Sequence, residues 1–375
     1  MENWGGGEEF LLKLFNNVSG YDYVVASPAG EPFQKFSSAG IEVTKINSMK
    51  KIYRKNNKWS LADKIVTLIN ITITTFQLIA VILKNKVDFI FCNGNFAGLF
   101  GLPAALITFK KLLIVQHLIY PEKSFEGKTL RQLNRFSYKM ICISESVSEN
   151  VKRILGYNYK NNIATIYHGI KIPIIDEINT ECSEHDNKKI NIGIIGNILR
   201  LKGIDLVIDA VKEIVLNNTN VHLHIYGSTR NDEEDSIKYE EELKNLISNY
   251  GISENVHFRG FENSKEAIYS KLDLVVNYST IAESFSFAVL EAIAYKKIVI
   301  ASNIGGPAEI ISNGENGFLL PPLHREKLKD KIEYCIKNIN SKEFDLIREN
   351  GRKTVEKKFS MTKFIKSYEE LFDSI

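Results

Sequence analysis

The sequence predicts an α/β protein of two doubly wound domains, each a mostly parallel sheet with helices on both faces. Three observations carry that prediction. Apolar runs of strand length alternate with helical periods along almost all of the 375 residues, the pattern of a parallel sheet covered on both sides. The length exceeds what one core ordinarily fills. Residues 172–188, IPIIDEINTECSEHDNK, lose periodicity and gain charge between two such series, as a linker does.

In the first series YDYVVAS (21–27), VDFIFCN (87–93), KLLIVQH (111–117), KMICIS (139–144) and NIATIYH (162–168) read as buried strands. Helices fill 8–17, 60–84, 97–107, 128–137 and 145–155. The second series opens at KKINIGIIGN (188–197). It continues through VHLHIYG (221–227), NVHFRG (255–260), LDLVVNY (272–278), KIVIAS (297–302) and GFLLP (317–321), with a highly charged helix over 233–249. The domains are expected at 1–175 and 188–358. The closing segment, SMTKFIKSYEELFDSI, predicts one amphipathic helix over 360–375 with Ser360 as its N-cap. The acidic run NDEED (231–235) reads as solvated loop and helix start.

Composition is that of a soluble globular protein, 44% hydrophobic and 25% charged. A net charge of +3 is too small to suggest a nucleic-acid partner. Cys92, Cys142, Cys182 and Cys335 show no C-x-x-C spacing, which speaks against a zinc site or disulfide framework and for a reducing cytosol. Cys92 and Cys142 fall in apolar strands and read as buried thiols. The first residues carry no basic-apolar leader, so no secretory signal is expected.

Ile65 to Leu83 runs nineteen residues without a charge, long enough to cross a bilayer. Thr67, Asn70, Thr72, Thr74, Thr75 and Gln77 dilute it, and a crossing would split one domain between two compartments. A buried or membrane-resting helix is the expectation. Just upstream, MKKIYRKNNKW (49–59) interleaves lysines and Arg54 with Tyr53 and Trp59, which suits a solvated loop or a contact with anionic headgroups.

Chemistry concentrates in ESFSFAVLEAIAYKKIVIASNIGGPAEIISNGENGFLLPP. Glu283 lies where a strand turns into a helix starting near Phe285 and Ser286. Helix-start amides stabilise an anion, and ligands of parallel sheets gather at the carboxyl ends of strands. Glu291 has Phe287, Ala288, Ala294 and Tyr295 as its helical neighbours, an apolar face. A carboxylate there needs hydrogen-bond donors, and two ribose hydroxyls would supply them. An ordinary surface glutamate is the plain alternative. In GNILRLKG, Gly196 permits a tight turn while Lys202 and Arg200 bring positive charge for a phosphate; a solvated basic loop reads equally well. Gly305 and Gly306 let backbone approach either a ligand or another strand.

Together these elements resemble the family 4 retaining glycosyltransferases, and the resemblance covers nearly the whole chain. The matching patterns are E-G-F-G-x-x-x-x-E, A-S-x-x-G-G-x-x-E and G-x-x-G-x-L-x-x-P. To them are added Lys202–Gly203, the turn HGI (168–170) and SESV (144–147). The resemblance implies the GT-B fold, two Rossmann-like domains facing a deep cleft, with the last helix crossing back onto the first domain. It implies that Lys202 binds the donor diphosphate, that Glu283 with the backbone of Phe285 and Ser286 holds sugar and phosphate, and that Glu291 binds ribose. Phe287, at the start of the same helix, is grouped with these donor residues. His117 would approach the transferred sugar from the acceptor domain, with Gly5, Gly6 and Gly7 near phosphates and acceptor. For His117 a polar strand-end residue under a loop is the plain alternative, and His168 reads as a structural turn residue.

Departures from the pattern are Asn197 where many members carry arginine, with Arg200 a candidate to replace it, and Ser284 and Ser286 in place of glycines. MENWGGGEEF leaves no room for the family's first strand, so either a truncated start or a first domain without that central strand is expected. The implied activity is retaining hexosyl transfer from a UDP- or GDP-linked sugar to a saccharide or lipid-linked acceptor, for cell-envelope polysaccharide or glycolipid. No Asp-x-Asp motif accompanies the donor elements, so no metal cofactor is expected. The cytoplasm is the expected location, with peripheral contact at the inner face of the membrane. A non-catalytic sugar-nucleotide-binding subunit and a GT-B epimerase or phosphorylase are the rival readings.

Overall fold

The computed structural model describes residues 5–49, 60–156, 162–174, 189–229 and 234–375. The basic stretch 50–59, most of the linker with Cys182, and the start of the acidic run lie outside the described residues. The chain divides into two compact units, Met1–Tyr167 with Phe364–Ile375, and His168–Lys363. The turn HGI belongs to the second unit. Ile170 donates its amide to Phe359 O at 2.9 Å and accepts from Met361 N at 2.9 Å, and Arg352 Nη2 donates to Pro173 O at 2.8 Å.

The first unit runs α1 (Gly6–Asn17), β1 (Val24–Ser27), α2 (Glu31–Ser38), β2 (Glu42–Lys45), α3 (Leu61–Lys84), β3 (Phe89–Asn93), α4 (Asn95–Ile107) and β4 (Lys111–Gln116). α5 (Phe125–Phe136), β5 (Lys139–Cys142), α6 (Glu145–Leu155) and β6 (Ile163–Thr165) complete its first pass. α2 and β2 had no clear signature, because both are short and β2 has no fully buried residue. Leu112 to Gln116 of β4 are all buried between helices, as a central parallel strand should be. Cys92 and Cys142 are buried thiols in this sheet.

Two parallel ladders make up the unit, β1-β2 and β3-β4-β5-β6, with no bond between them among the described residues. A doubly wound sheet ordered 3-2-1-4-5-6 places one further parallel strand between the positions of β1 and β3. Aromatic side chains pack against those of β3. Phe364, Tyr368 and Phe372 of α14 (Met361–Asp373) surround Phe10 of α1 and Phe91, with ring centroids 5.9 Å apart for Phe91–Phe372 and 6.0 Å for Phe10–Phe364. Ser360 caps α14 by accepting from Lys363 N at 3.3 Å.

The second unit contains β7 (Ile190–Ile195), α7 (Ile204–Asn217), β8 (Val221–Tyr226), α8 (Glu234–Asn249), β9 (Val256–Gly260) and α9 (Lys265–Tyr269). β10 (Leu274–Asn277), α10 (Phe287–Ala294), β11 (Ile298–Ser302), α11 (Pro307–Ile310), β12 (Phe318–Leu320), α12 (Arg325–Asn338) and α13 (Lys342–Lys358) follow. Its strands lie in the order β12-β11-β10-β7-β8-β9, all parallel. That is the doubly wound order, and its direction reverses between β7 and β10. β10 and β11 are buried throughout, which explains their unbroken apolar sequence.

Candidate active site

The carboxyl ends of β7 and β10, at the reversal point, place the charged residues of the second unit. Beyond β7 the chain turns at Gly196 and forms a short 3-10 turn over Arg200–Lys202, which Gly203 ends in a left-handed conformation at φ 60°. A Cβ on Gly203 would fall 2.4 Å from Tyr278 O, so only glycine lets this loop meet the end of β10. Thr280 N donates to Leu201 O at 2.8 Å and ties the two loops.

That closure brings Lys202 Nζ to 2.7 Å from Glu283 Oε1, across 81 positions of sequence. The Lys202 and Glu283 side chains are 21% and 10% exposed, so the pair is shielded from water without being sealed. Ser279 Oγ donates to the same carboxylate oxygen. Ser279 O in turn accepts from Ser302 Oγ at 2.7 Å.

The glycine pair after β11 positions Glu283 from the other side. Gly306 N donates to Glu283 O at 2.8 Å. A Cβ on Gly305, at φ 67°, would lie 2.4 Å from Glu283 O, and one on Gly306 2.7 Å from Phe285 Cα. Of the two readings of this pair, approach to another segment of chain is the one realised.

α10 begins at Phe287 with Ser286 as N-cap, so its first-turn amides offer partial positive charge. Ser286 is 2% exposed, and its hydroxyl has no partner among the described residues. The Phe285 ring turns away into an aromatic cluster, 5.4 Å from His168, 5.3 Å from Phe287 and 6.2 Å from Phe359 between centroids. His168 is thus a buried packing residue, and Phe285 offers a ligand its backbone. Replacing Ser286 by Ala should leave stability unchanged or slightly raised, since an unpaired buried hydroxyl contributes nothing. Its affinity for a nucleoside diphosphate should fall about tenfold, the worth of one hydrogen bond to a charged group; isothermal titration of both proteins checks this.

Glu291 sits on α10 as expected, yet the protein itself supplies hydrogen-bond donors. Tyr269 Oη and Lys265 Nζ each approach Oε2 at 3.1 Å. Both bind the same oxygen, which leaves Oε1 for a ligand. Burial, then the Glu291 charge, pushes the Tyr269 phenol well above its usual range, so it stays a hydrogen-bond donor. Neither residue was visible from the sequence, because α9 approaches α10 only in the folded sheet.

Arg200 takes a different place. Its guanidinium binds Asp235 Oδ1 at 3.3 Å and Glu242 Oε2 at 2.8 Å, and stacks 4.8 Å above the Tyr239 ring. It is therefore engaged with α8 rather than with the Lys202–Glu283 pair. Asn197 is exposed on the turn after β7.

In the first unit His117 follows β4, and its Nε2 lies 2.6 Å from Asn93 Oδ1 at the end of β3. A Cβ on Gly7 would lie 3.0 Å from Asn93 Nδ2, and the Phe10 ring meets His117 edge-on at 5.0 Å. Asn93 is the residue that sequence reasoning passed over; a polar side chain closing the apolar run FIFC was its only signal. Burial pulls the His117 pKa from 6.5 down to about 4, so at neutral pH the ring is uncharged, its Nε2–H donates to Asn93, and Nδ1 keeps a lone pair.

His224 is likewise pulled down to about 4, by burial and then by Arg259. For both groups the unfolded chain takes up protons below pH 6.5 that the folded chain refuses until about pH 4. Their stabilisation is complete above pH 6.5 and is lost as pH falls toward 4. Urea unfolding across that window should show stability falling with acidity, and His117→Gln should flatten part of the slope.

Among the described residues no three His, Cys, Asp or Glu side chains gather as a metal site.

The fold and this site define the class, a glycosyltransferase of GT-B architecture. Residues 176–354 match the family described as glycosyl transferases group 1. An uncharacterized glycosyltransferase of Methanocaldococcus jannaschii is 25% identical over 280 residues, covering 71% of this chain and 69% of the relative. The capsular polysaccharide biosynthesis glycosyltransferase CapM of Staphylococcus aureus is 27% identical over 300 residues, covering 74% of each. Among solved structures, Anabaena Alr3699/HepE in complex with UDP superposes with a TM-score of 0.82 at 22% identity, covering 100% of this chain and 98% of that one. At that identity the likeness concerns the fold.

Proposed function

We propose that the protein moves a sugar from a UDP- or GDP-linked donor to an acceptor hydroxyl with retention at the anomeric carbon. The product belongs to a cell-envelope polysaccharide or glycolipid, made in the cytoplasm at the inner face of the membrane. The observation that carries this reading is the contact of Lys202 with Glu283 at the sheet's reversal point, beside the open start of α10. CapM is named for capsular polysaccharide, and HepE was solved with UDP and with UDP-glucose; both point the same way.

In this reading the donor diphosphate lies against Lys202 Nζ and the first-turn amides of α10, which neutralise its charge without a metal ion. Glu283 and the backbone of Phe285 and Ser286 hold the sugar and adjoining phosphate, and Glu291 Oε1 accepts from a ribose hydroxyl. The bond from the anomeric carbon to the diphosphate oxygen breaks while the acceptor oxygen bonds to that carbon on the same face. The acceptor's proton passes to the departing phosphate oxygen. Neutral His117, oriented by Asn93, serves the transferred sugar as a hydrogen-bonding group, with Gly7 beside it. Arg200 would join the donor only by leaving Asp235 and Glu242.

The test is a thermal-shift screen of UDP- and GDP-sugars, followed by assay of the stabilising donor with saccharide and lipid-linked acceptors. Acceptor-dependent release of the nucleoside diphosphate, with a retained anomer by NMR, supports the proposal. Donor turnover without acceptor favours an epimerase, binding without turnover favours a non-catalytic subunit, and an inverted anomer removes retention.

A further inference from the structure

α3 turns to water an apolar face that a helix of a soluble domain ordinarily buries. Such a helix turns its apolar stripe to the core and its polar face to water. In α3 the inward side carries Thr67, Thr74 and Thr75 together with Leu78 and Ile82. The outward side carries Leu61, Ile65, Leu68, Ile69, Phe76 and Leu83, all exposed, with Leu68 at 65% and Phe76 at 69%. With Ile73, also exposed, their positions recur at steps of three, four and seven residues, so they form one stripe along a helix about 36 Å long.

Inward hydrogen bonds fix this orientation. Thr74 Oγ1 and Ser48 Oγ are 2.7 Å apart, and Ser48 Oγ donates to Gln77 Oε1 at 2.8 Å. Thr67 and Thr75 satisfy their hydroxyls within α3, on Asp63 O at 2.6 Å and Ile71 O at 2.7 Å. Leu78 and Ile82 join Ile46, Met49, Phe100 and Ala104 in one apolar cluster of the first unit. Rolling the helix over would break that cluster and the Ser48 bonds, so the apolar stripe stays outside.

The exposed surface continues onto the end of α4. α3 and α4 share that cluster and lead into β3 and β4, whose first residues pair as Phe89 with Lys111. Leu106, Ile107 and Phe109 are exposed there, Phe109 by 94%. Lysines border the surface: Lys64 near the start of α3, Lys84 as its last residue, Lys86 just past it, and Lys110 after Phe109. Asp63, by contrast, is tied into the helix cap by Ser60 N at 2.9 Å and Ser60 Oγ at 2.6 Å.

We propose that the outward face of α3, with the end of α4, rests on an anionic lipid bilayer, holding the first unit at the membrane surface. An apolar stripe edged by lysines matches an acyl layer beneath anionic headgroups. Two-fold pairing of α3 with a second copy would set lysine against lysine, whether the helices ran parallel or antiparallel. A span is excluded by the inner face, whose side chains are committed to the unit's own cluster. The proposal is independent of the transfer chemistry, since none of these residues belongs to the donor site.

The purified full chain is sedimented with vesicles of phosphatidylcholine alone and of phosphatidylcholine mixed with phosphatidylglycerol. The expected result is pelleting with the mixed vesicles, weakened by salt, and at least tenfold weaker partitioning for the double variant Leu68→Asp/Phe76→Asp. Because both positions are solvent-exposed, the variant should keep the wild-type thermal melt and donor-induced thermal shift. In a second measurement Phe76→Trp, which keeps an aromatic ring, should show blue-shifted emission with mixed vesicles. A wild-type chain that stays in the supernatant with both, or a double variant that pellets equally, overturns the proposal. So does a wild-type dimer that the double variant converts to a monomer without any vesicle binding.

Discussion

Lys202→Ala is expected to lower kcat/KM for the nucleotide-sugar donor by about a hundred- to a thousandfold. That is the usual cost of removing one preorganised group that meets charge developing in the transition state, ~3–4 kcal/mol. The folded chain already positions the ammonium 2.7 Å from Glu283, so no reorganisation is needed when the diphosphate departs. Removing it also leaves a carboxylate, only 10% exposed, with Ser279 as its remaining side-chain partner. A stability loss of about 2 kcal/mol should accompany the kinetic loss. Steady-state kinetics and urea unfolding on the same variant separate the two effects. Wild-type turnover in Lys202→Ala would remove this residue from the mechanism.

Gly305→Ala is expected to damage the second unit and its candidate site together. Its φ of 67° is strained for any residue with a side chain, and the new Cβ would sit 2.4 Å from Glu283 O and 2.7 Å from Glu283 N. Strain and overlap together should cost about 3–5 kcal/mol in unfolding free energy. Whatever protein remains folded must displace the segment carrying Glu283, so donor turnover should fall more than stability alone explains. A urea midpoint close to wild type, with activity retained, would show that the loop yields to the methyl group.

The main strands were legible because a parallel strand buried on both faces leaves an unbroken apolar run, as in LVVN of β10 and IVIAS of β11. α2 and β2 were not, since eight and four residues with mixed exposure leave no period to read. The candidate site was proposed from residue type. Lys202, Glu283 and Glu291 stand out as charges beside glycines and apolar runs. Their partners were less legible: Glu291 was expected to await ribose hydroxyls, whereas Tyr269 and Lys265 already engage its Oε2. Arg200, a candidate phosphate ligand by its place beside Lys202, is drawn to the acidic residues of α8.

The sequence by itself determined two things about this protein. Hydrophobic periodicity dictated the alternation of strands and helices, and the glycine and glutamate pattern after β10 and β11 carried the resemblance to glycosyltransferases. Both are local properties, readable within about forty residues. Only the tertiary structure decided which charges meet and which helix face looks outward. Lys202 reaches Glu283 because glycines let two loops close across 81 positions. α3 keeps Leu68 and Phe76 outside because Thr74 finds its hydrogen-bond partner in Ser48, twenty-six positions away.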